Sequence, residues 1–309
     1  MTRKILLDCD PGHDDAVAIL LAGACEDIRV LGITTVSGNQ TLEKTTRNAL
    51  RVVQHLGLDI PVYAGCDRPM VRERIICASI HGKSGLDGFA FAPLKRRVEK
   101  EHAVSFLIRT LKETKEPLTV VTTGPMTNLA MAVRLDPEIV PKIERIVLMG
   151  GSIGAGNMTA AAEFNILADA EAASVCFGLG RPVTMIGLDV TRKVLCVPEI
   201  IRRMEMPGNR AADLFTGLMT FFRNTQKKLF GLEGGPLHDP VTIAYLTRPE
   251  LIRTEPMSVQ IDIRSEQSYG RTNCSKADPP RTFANADVAV DIDVAGFWDL
   301  IEEGIRYYA

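Results

Sequence analysis

"KILLDCDPGHDDAVAILLAGA", residues 4–24, decides how the chain is read. The apolar run Ile5-Leu6-Leu7 meets Asp8 and Asp10 and then Pro11-Gly12, the pattern of a buried strand ending in a turn. Asp14 and Asp15 open the apolar segment that follows, and acidic residues favour the first turn of a helix. The alternation then continues. "IRVLGITTVSG" (28–38) reads as a second buried strand, "TLEKTTRNALRVVQHLG" (41–57) as a helix ending at Gly57, and "PVYAG" (61–65) as a third strand. Helix–strand pairs recur at 103–124, 127–151 and 169–189. Strands alternating with amphipathic helices predict an α/β fold with a mainly parallel sheet covered on both faces.

From about residue 195 the pattern changes. A long helical stretch covers 209–230, and Gly234-Gly235-Pro236 breaks the chain before "LHDPVTIAYL". Segments 257–263 and 287–293 are strand-like, and 294–308 makes a closing helix. No repeat, low-complexity tract or Pro/Ser linker divides the chain, so residues 1–309 are read as a single domain. Residues 66–102, including Gly-rich "IHGKSGLDG", lack strong periodicity; an irregular segment that long is usually functional, often a lid, and the sequence does not decide whether this one closes over substrate.

Composition narrows the partner. With 46% hydrophobic residues the chain can bury a large core, and Lys+Arg 36 against Asp+Glu 38 leaves a net charge of −2. No basic stretch suggests a nucleic-acid surface, so a small molecule is expected. Seven cysteines without a C-x-x-C pair argue for reduced thiols in a cytoplasm, and against a disulfide framework or a zinc site. The run Ile5-Leu6-Leu7 is broken at Asp8, which argues against a signal peptide. The longest uncharged apolar run, "AVAILLAGAC", is about half a membrane span. A cytoplasmic protein without membrane contact is the expectation.

Four aspartates in eight positions need more than capping. Asp8 and Asp10, two apart on a strand, share a face, while Asp14 and Asp15 follow at a helix start. An acidic N-cap accounts for one or two of them. All four together repel and raise one another's pKa unless a cation intervenes. Oxygen donors without a Cys or His cluster select Mg²⁺ or Ca²⁺, and the site must be completed from elsewhere in the chain. Ligands bind parallel sheets at the carboxyl ends of strands. Polar residues stand after each apolar run: Asn39, then Thr123 and Asn128, Met149 and Asn157, Glu163 and Asn165, and Asp189. Asn39 and Asn128 read more readily as cap or turn residues, and Asp189 as the end of a strand. Glu163 and Asn165, inside apolar "AAAEFNILA", stand out because a buried carboxylate requires a partner. His238, beside Asp239 in "GGPLHDP", and His81 on the irregular segment are placed for a site role. His13 is ambiguous; His55 and His102 read as surface helix positions.

"DCDPGHDD", "SGN", "TTGPMTNLA", "LMGGS", "GNMTAAAEFN" and "GGPLHDP" together resemble the nucleoside hydrolases, the inosine-uridine-preferring family, over essentially the whole chain. "GLEGGPLHD" and "SYGRT" look closest to its pyrimidine-preferring ribonucleoside hydrolases. The resemblance implies a Rossmann-like α/β fold, one tightly bound Ca²⁺, and a homotetramer or homodimer. It implies Asp10, Asp15, Asp239 and the main-chain carbonyl of Thr123 as calcium ligands, with Asp8 in support. It further implies Asp14, Asn39, Asn157, Glu163 and Asn165 on the ribose hydroxyls, with Met149 lining the pocket. Asp10 is then the general base, His238 and His81 stand near the leaving base, and Gln226 and Phe230 contact it. Phe230 departs from the tyrosine that pyrimidine-preferring relatives often carry, which bears on base preference.

The alternative within the family is a ribonucleoside hydrolase of broader purine and pyrimidine specificity, and two less favoured readings lie outside it. A haloacid dehalogenase-type phosphatase also ends its first strand in D-x-D, which would make Asp8 the nucleophile and Asp10 the acid. Gly12 stands where that family wants a small hydroxyl or β-branched residue, and "AEFN" and "GGPLHD" are left unexplained. A non-catalytic nucleoside-binding protein needs neither Asp10 nor His238.

Overall fold

The computed structural model describes residues 2–276, 278–279 and 283–309 of the chain. Strands β1 (Arg3–Cys9), β2 (Ile28–Thr35), β3 (Val62–Ala64), β4 (Leu118–Thr122), β5 (Ile143–Met149) and β6 (Val183–Ile186) lie side by side. Their order is β3-β2-β1-β4-β5-β6, every pairing parallel. This is the doubly wound order, in which the winding reverses between β1 and β4. Two-residue strands β7 (Leu195–Cys196) and β8 (Gly235–Pro236) form a separate antiparallel ribbon. The main sheet is extended by β9 (Ile252–Ile261), β10 (Thr272–Lys276) and β11 (Ala286–Ile292). Strand β11 joins β6 in parallel, and β9 and β10 finish that edge antiparallel, giving nine strands among the described residues. The expected Rossmann-like, mainly parallel sheet is therefore present. Nothing in the pattern marks β10, because an edge strand with mostly exposed side chains carries no apolar alternation.

The central strands read as continuous apolar runs because both faces are covered. Ile5, Leu7 and Cys9 of β1 enter one hydrophobic core, while Leu6 enters the core on the opposite face. Local chemistry sets the helix limits. The helix Leu42–Leu56 stops at Gly57, which takes the left-handed φ of 66° expected of a glycine C-cap. The long helix Arg210–Phe230 starts at Asn209, whose side chain accepts from the Ala211 and Ala212 amides, and stops at Gly231 with φ 70°. His102 caps the helix Ala103–Glu113 by accepting from the Val104 amide. Residues 66–102 are irregular, as expected, apart from β-like pairing of Glu99 to Val62 and a helical turn at Ala78–His81. The tip of this segment is tied down: Gln40 Nε2 donates to the Gly82 carbonyl at 2.8 Å and Asn48 Nδ2 to the Ser84 carbonyl at 2.9 Å. No helix among the described residues is long and apolar enough to cross a membrane.

Candidate active site

Because winding reverses between β1 and β4, the loops leaving their carboxyl ends part and leave a crevice. A cavity of about 610 Å³ opens there, within the usual size of a small-ligand site. Asp14, Asn39, His81, Thr123, Met149, Asn157, Glu163, Asn165, Gln226, Phe230, His238 and Asp239 all line it. Asp10 and Asp15, fully buried, are hydrogen-bonded to the lining residues Asn39 and Thr123. Fourteen residues drawn from motifs throughout the chain thus meet at one place.

The strand ends at Cys9, so the shared face expected for Asp8 and Asp10 divides. Asp8 stays in the sheet, where its Oδ1 accepts from Thr34 Oγ1 at 2.6 Å and Asn128 Nδ2 at 2.8 Å. Asn128 is neither cap nor ligand. It also donates to the Thr35 carbonyl and accepts from the Cys66 amide, a buried strut between strand ends. Asp10 turns away toward the loop after β2, its Oδ2 accepting the Asn39 amide at 2.6 Å. Asp15, in the first turn of the helix His13–Ala24, uses both oxygens. Thr123 Oγ1 donates to Oδ1 at 2.8 Å, and the Gly12 amide and Asn39 Nδ2 donate to Oδ2 at 2.9 and 3.2 Å. Asp239 precedes Pro240 at the start of the helix Pro240–Thr247, so two helix N-termini turn their partial positive ends toward the carboxylates.

Oxygens of Asp14, Asp15 and Asp239 lie within 4.8 Å of one another. Asp10 Oδ1 and Asp14 Oδ1 are buried without a hydrogen-bond partner. Burial, then mutual repulsion, raises Asp10 and Asp239 well above the ordinary aspartate range and Asp14 to about 7; burial also raises Asp15. Unpaired buried carboxylate oxygens in an all-oxygen donor set fit a hard divalent cation, and the residues present suit one. Of the carboxylates expected as ligands, Asp15 and Asp239 are in this group and Asp10 is not; Asp14, expected on the ribose, stands in it instead.

Residues 5–299 match the sequence model described as inosine-uridine preferring nucleoside hydrolase. The chain belongs to this family. It is 49% identical over 306 residues to the pyrimidine-specific ribonucleoside hydrolase RihB of Escherichia coli (strain K12), covering 99% of this chain and 98% of that protein. Among solved structures it resembles a purine-preferring ribonucleoside hydrolase from Gardnerella vaginalis, with TM-score 0.93, 34% identity and 99% of each chain covered. A plant nucleoside hydrolase, PpNRh1, superposes with TM-score 0.92 at 28% identity, again over 99% of each chain.

In this nucleoside hydrolase the remaining polar residues are held as firmly. Glu163 caps the short helix Phe164–Ala168: its Oε1 accepts the Asn165 amide at 2.9 Å, and its Oε2 the Gly151 and Ile166 amides at 3.0 and 3.2 Å. The partners that its burial demanded are thus main-chain donors, although burial still raises its pKa. Asn165 Nδ2 bridges β4 and β5 by donating to the Thr123 and Met149 carbonyls at 2.7 and 3.1 Å. Asn157 Oδ1 accepts the Phe164 amide at 2.9 Å. Asp189, rather than merely ending a strand, accepts the Ile153 and Gly154 amides and anchors the loop after β5. His238 Nδ1 lies 2.7 Å from Thr191 Oγ1; burial and the nearby Arg192 charge push this imidazole down to about 4. Burial also pushes His81 well below the usual histidine range. Gln226 is buried on the inner side of the long helix, and Phe230, 57% exposed, stands at its end.

Three glycines at the site are spatial requirements. A Cβ on Gly38 would overlap Asp10 Oδ2, one on Gly124 would meet Asp10 Oδ1 at 2.6 Å, and one on Gly12 would meet His81 Nδ1 at 2.6 Å. Their motifs were visible, but the approach of a distant side chain was not. Gly38→Ala is expected to destabilise the chain by about 1–3 kcal/mol through overpacking. A thermal or denaturant melt checks this, and an unchanged midpoint would mean that the loop after β2 can swing clear.

Proposed function

We propose that the chain hydrolyses the N-glycosidic bond of ribonucleosides to ribose and free base, preferring uridine and cytidine. One observation carries the reading. Three carboxylates, Asp14, Asp15 and Asp239, converge within 4.8 Å at a cleft of nucleoside size, and Asp10 and Asp14 each keep a buried Oδ1 without a partner. Pyrimidine preference is supported by the 49% identity to pyrimidine-specific RihB, against 34% to the purine-preferring Gardnerella vaginalis hydrolase.

Ca²⁺, one per chain, is the ion we assign, because it accepts six to eight oxygen ligands in flexible geometry. Asp10, Asp15, Asp239 and the Thr123 carbonyl would hold it. Bound there, it supplies a Lewis acid that orients and acidifies a water and grips adjacent hydroxyls. Asp10 takes the water proton at Oδ1 as C1′ is attacked. Loss of the base leaves an oxocarbenium-like ribose, which the surrounding carboxylates stabilise. Asp14, Asn39 and Asn165 orient the 2′- and 3′-hydroxyls, Glu163 and Asn157 hold the 5′-hydroxyl, and Met149 packs against the sugar. Gln226 and Phe230 meet the base. His81 and His238, neutral near pH 7 because burial lowers both, donate hydrogen bonds to it as it leaves.

The deciding experiment measures base release from uridine, cytidine, inosine and 2′-deoxyuridine. Uridine and cytidine should be turned over fastest, inosine more slowly, and 2′-deoxyuridine worst, because its missing hydroxyl leaves buried polar groups unpaired. Equal rates for the ribo- and deoxynucleosides would overturn the ribose assignments, and binding without turnover would overturn the activity. We further assign the chain to the cytoplasm, where its unpaired cysteines stay reduced, and to a homotetramer or homodimer. Sedimentation of the purified chain checks the assembly.

A further inference from the structure

The histidine that sequence reading left ambiguous is not at the surface. His13 is fully buried, and its ring stacks on Phe221, Phe222 and His81 with centroids 5.3, 5.4 and 5.4 Å apart. Its Nε2 lies 2.8 Å from the Asp87 carbonyl. A carbonyl can only accept, so this nitrogen carries the ring hydrogen. Asp87 is itself fixed, its carboxylate accepting the Lys83 and Ser84 amides at 2.9 and 3.0 Å. The His13 ring therefore clips the segment that carries both Asp87 and His81 onto the start of the first helix. At that helix start the His13 main-chain amide donates to His81 Nδ1 at 3.3 Å, and the two Nδ1 atoms stand 3.2 Å apart. With Nδ1 committed to His13, the nitrogen that His81 can offer to the cavity is Nε2.

We propose that His13 is a positioning residue for the leaving-group end of the site, holding the His81 ring so that its Nε2 edge is the one left for the departing base. This rests on the reading of His81 as a donor to that base. The first helix thus serves both ends of the reaction. Asp14 and Asp15 stand on the sugar side, and His13 acts through His81 on the base side.

The test compares uridine with p-nitrophenyl β-D-ribofuranoside, whose leaving group departs without a donor. The variants are His13→Phe, which keeps a flat ring among the phenylalanines, His13→Asn, which keeps a polar atom near the Nδ1 position, His81→Phe, and the double variant His13→Phe/His81→Phe. For His13→Phe we expect kcat on uridine to fall about 10²-fold, the scale of a misplaced catalytic group, with nitrophenyl riboside turnover nearly unchanged. His13→Asn should recover part of that loss. In the His81→Phe background, His13→Phe should cost nothing further, the non-additivity of residues acting as one unit. Equal losses on both substrates would assign His13 to folding or to the metal site and overturn the proposal. So would a full His13→Phe effect without His81. Should His81→Phe alone spare uridine, the donor reading of His81 fails first and the proposal with it.

Discussion

Asp10→Asn should lower kcat for uridine by about 10³–10⁴-fold, the contribution of a well-placed general base. The substitution changes shape very little. The amide oxygen can still accept the Asn39 amide, the bond that Asp10 Oδ2 makes at 2.6 Å. What is lost is the second oxygen, Oδ1, buried, unpartnered and closely approached by Gly124. An amide nitrogen there cannot take a proton from water. The variant should fold at least as well as the parent without metal, since removing one charge relieves repulsion in a group whose pKa values are all raised. Metal content, measured on the same sample, separates loss of the base from loss of the ion. A variant that retains stoichiometric metal and turns over within about tenfold of the parent would exclude Asp10 as the base.

Stripping the divalent cation should abolish measurable turnover, with recovery on adding one equivalent of Ca²⁺ per chain. It should also cost stability: an ion present at about 1,000 times its Kd stabilises the native state by roughly 4 kcal/mol. That increment must depend on pH, and its sign follows from the raised carboxylates. Asp14 moves from 3.8 to about 7 on burial in the stripped protein, so between those values the native state binds more protons than the unfolded chain. Stability without metal therefore falls as pH rises through that window. The cation reverses this by replacing the protons. Paired melts with Ca²⁺ and with chelator should differ little at pH 5 and strongly at pH 7.5. A gap that does not change with pH would show that these carboxylates do not hold the ion.

The sequence carried much of this site because its chemistry is written in short local motifs. "KILLDCDPG" puts carboxylates at a strand end, and "HDD" puts two more in a helix's first turn, so both halves lie within one turn of chain. "AEFN" announced itself by placing a carboxylate in an apolar run, and the structure supplies its partners as main-chain amides. Asn128 misled because a buried strut and a helix cap have the same local sequence. Strand β10 was missed because an exposed edge has no apolar period to read. His13 stayed ambiguous because its meaning depends on Phe221, Phe222 and Asp87, none of which is its neighbour in sequence.

By itself, the sequence determined the alternation of strands and helices, the parallel character of the sheet, and which polar residues stand at strand ends. These depend on periodicity and turn chemistry, which act over a few residues. Only the tertiary structure decided that Asp14 joins Asp15 and Asp239, that glycines press on Asp10, and that His13 holds His81. Those distances depend on strand order and on how loops part where the winding reverses between β1 and β4. The packing of whole elements sets both, and no local pattern encodes them.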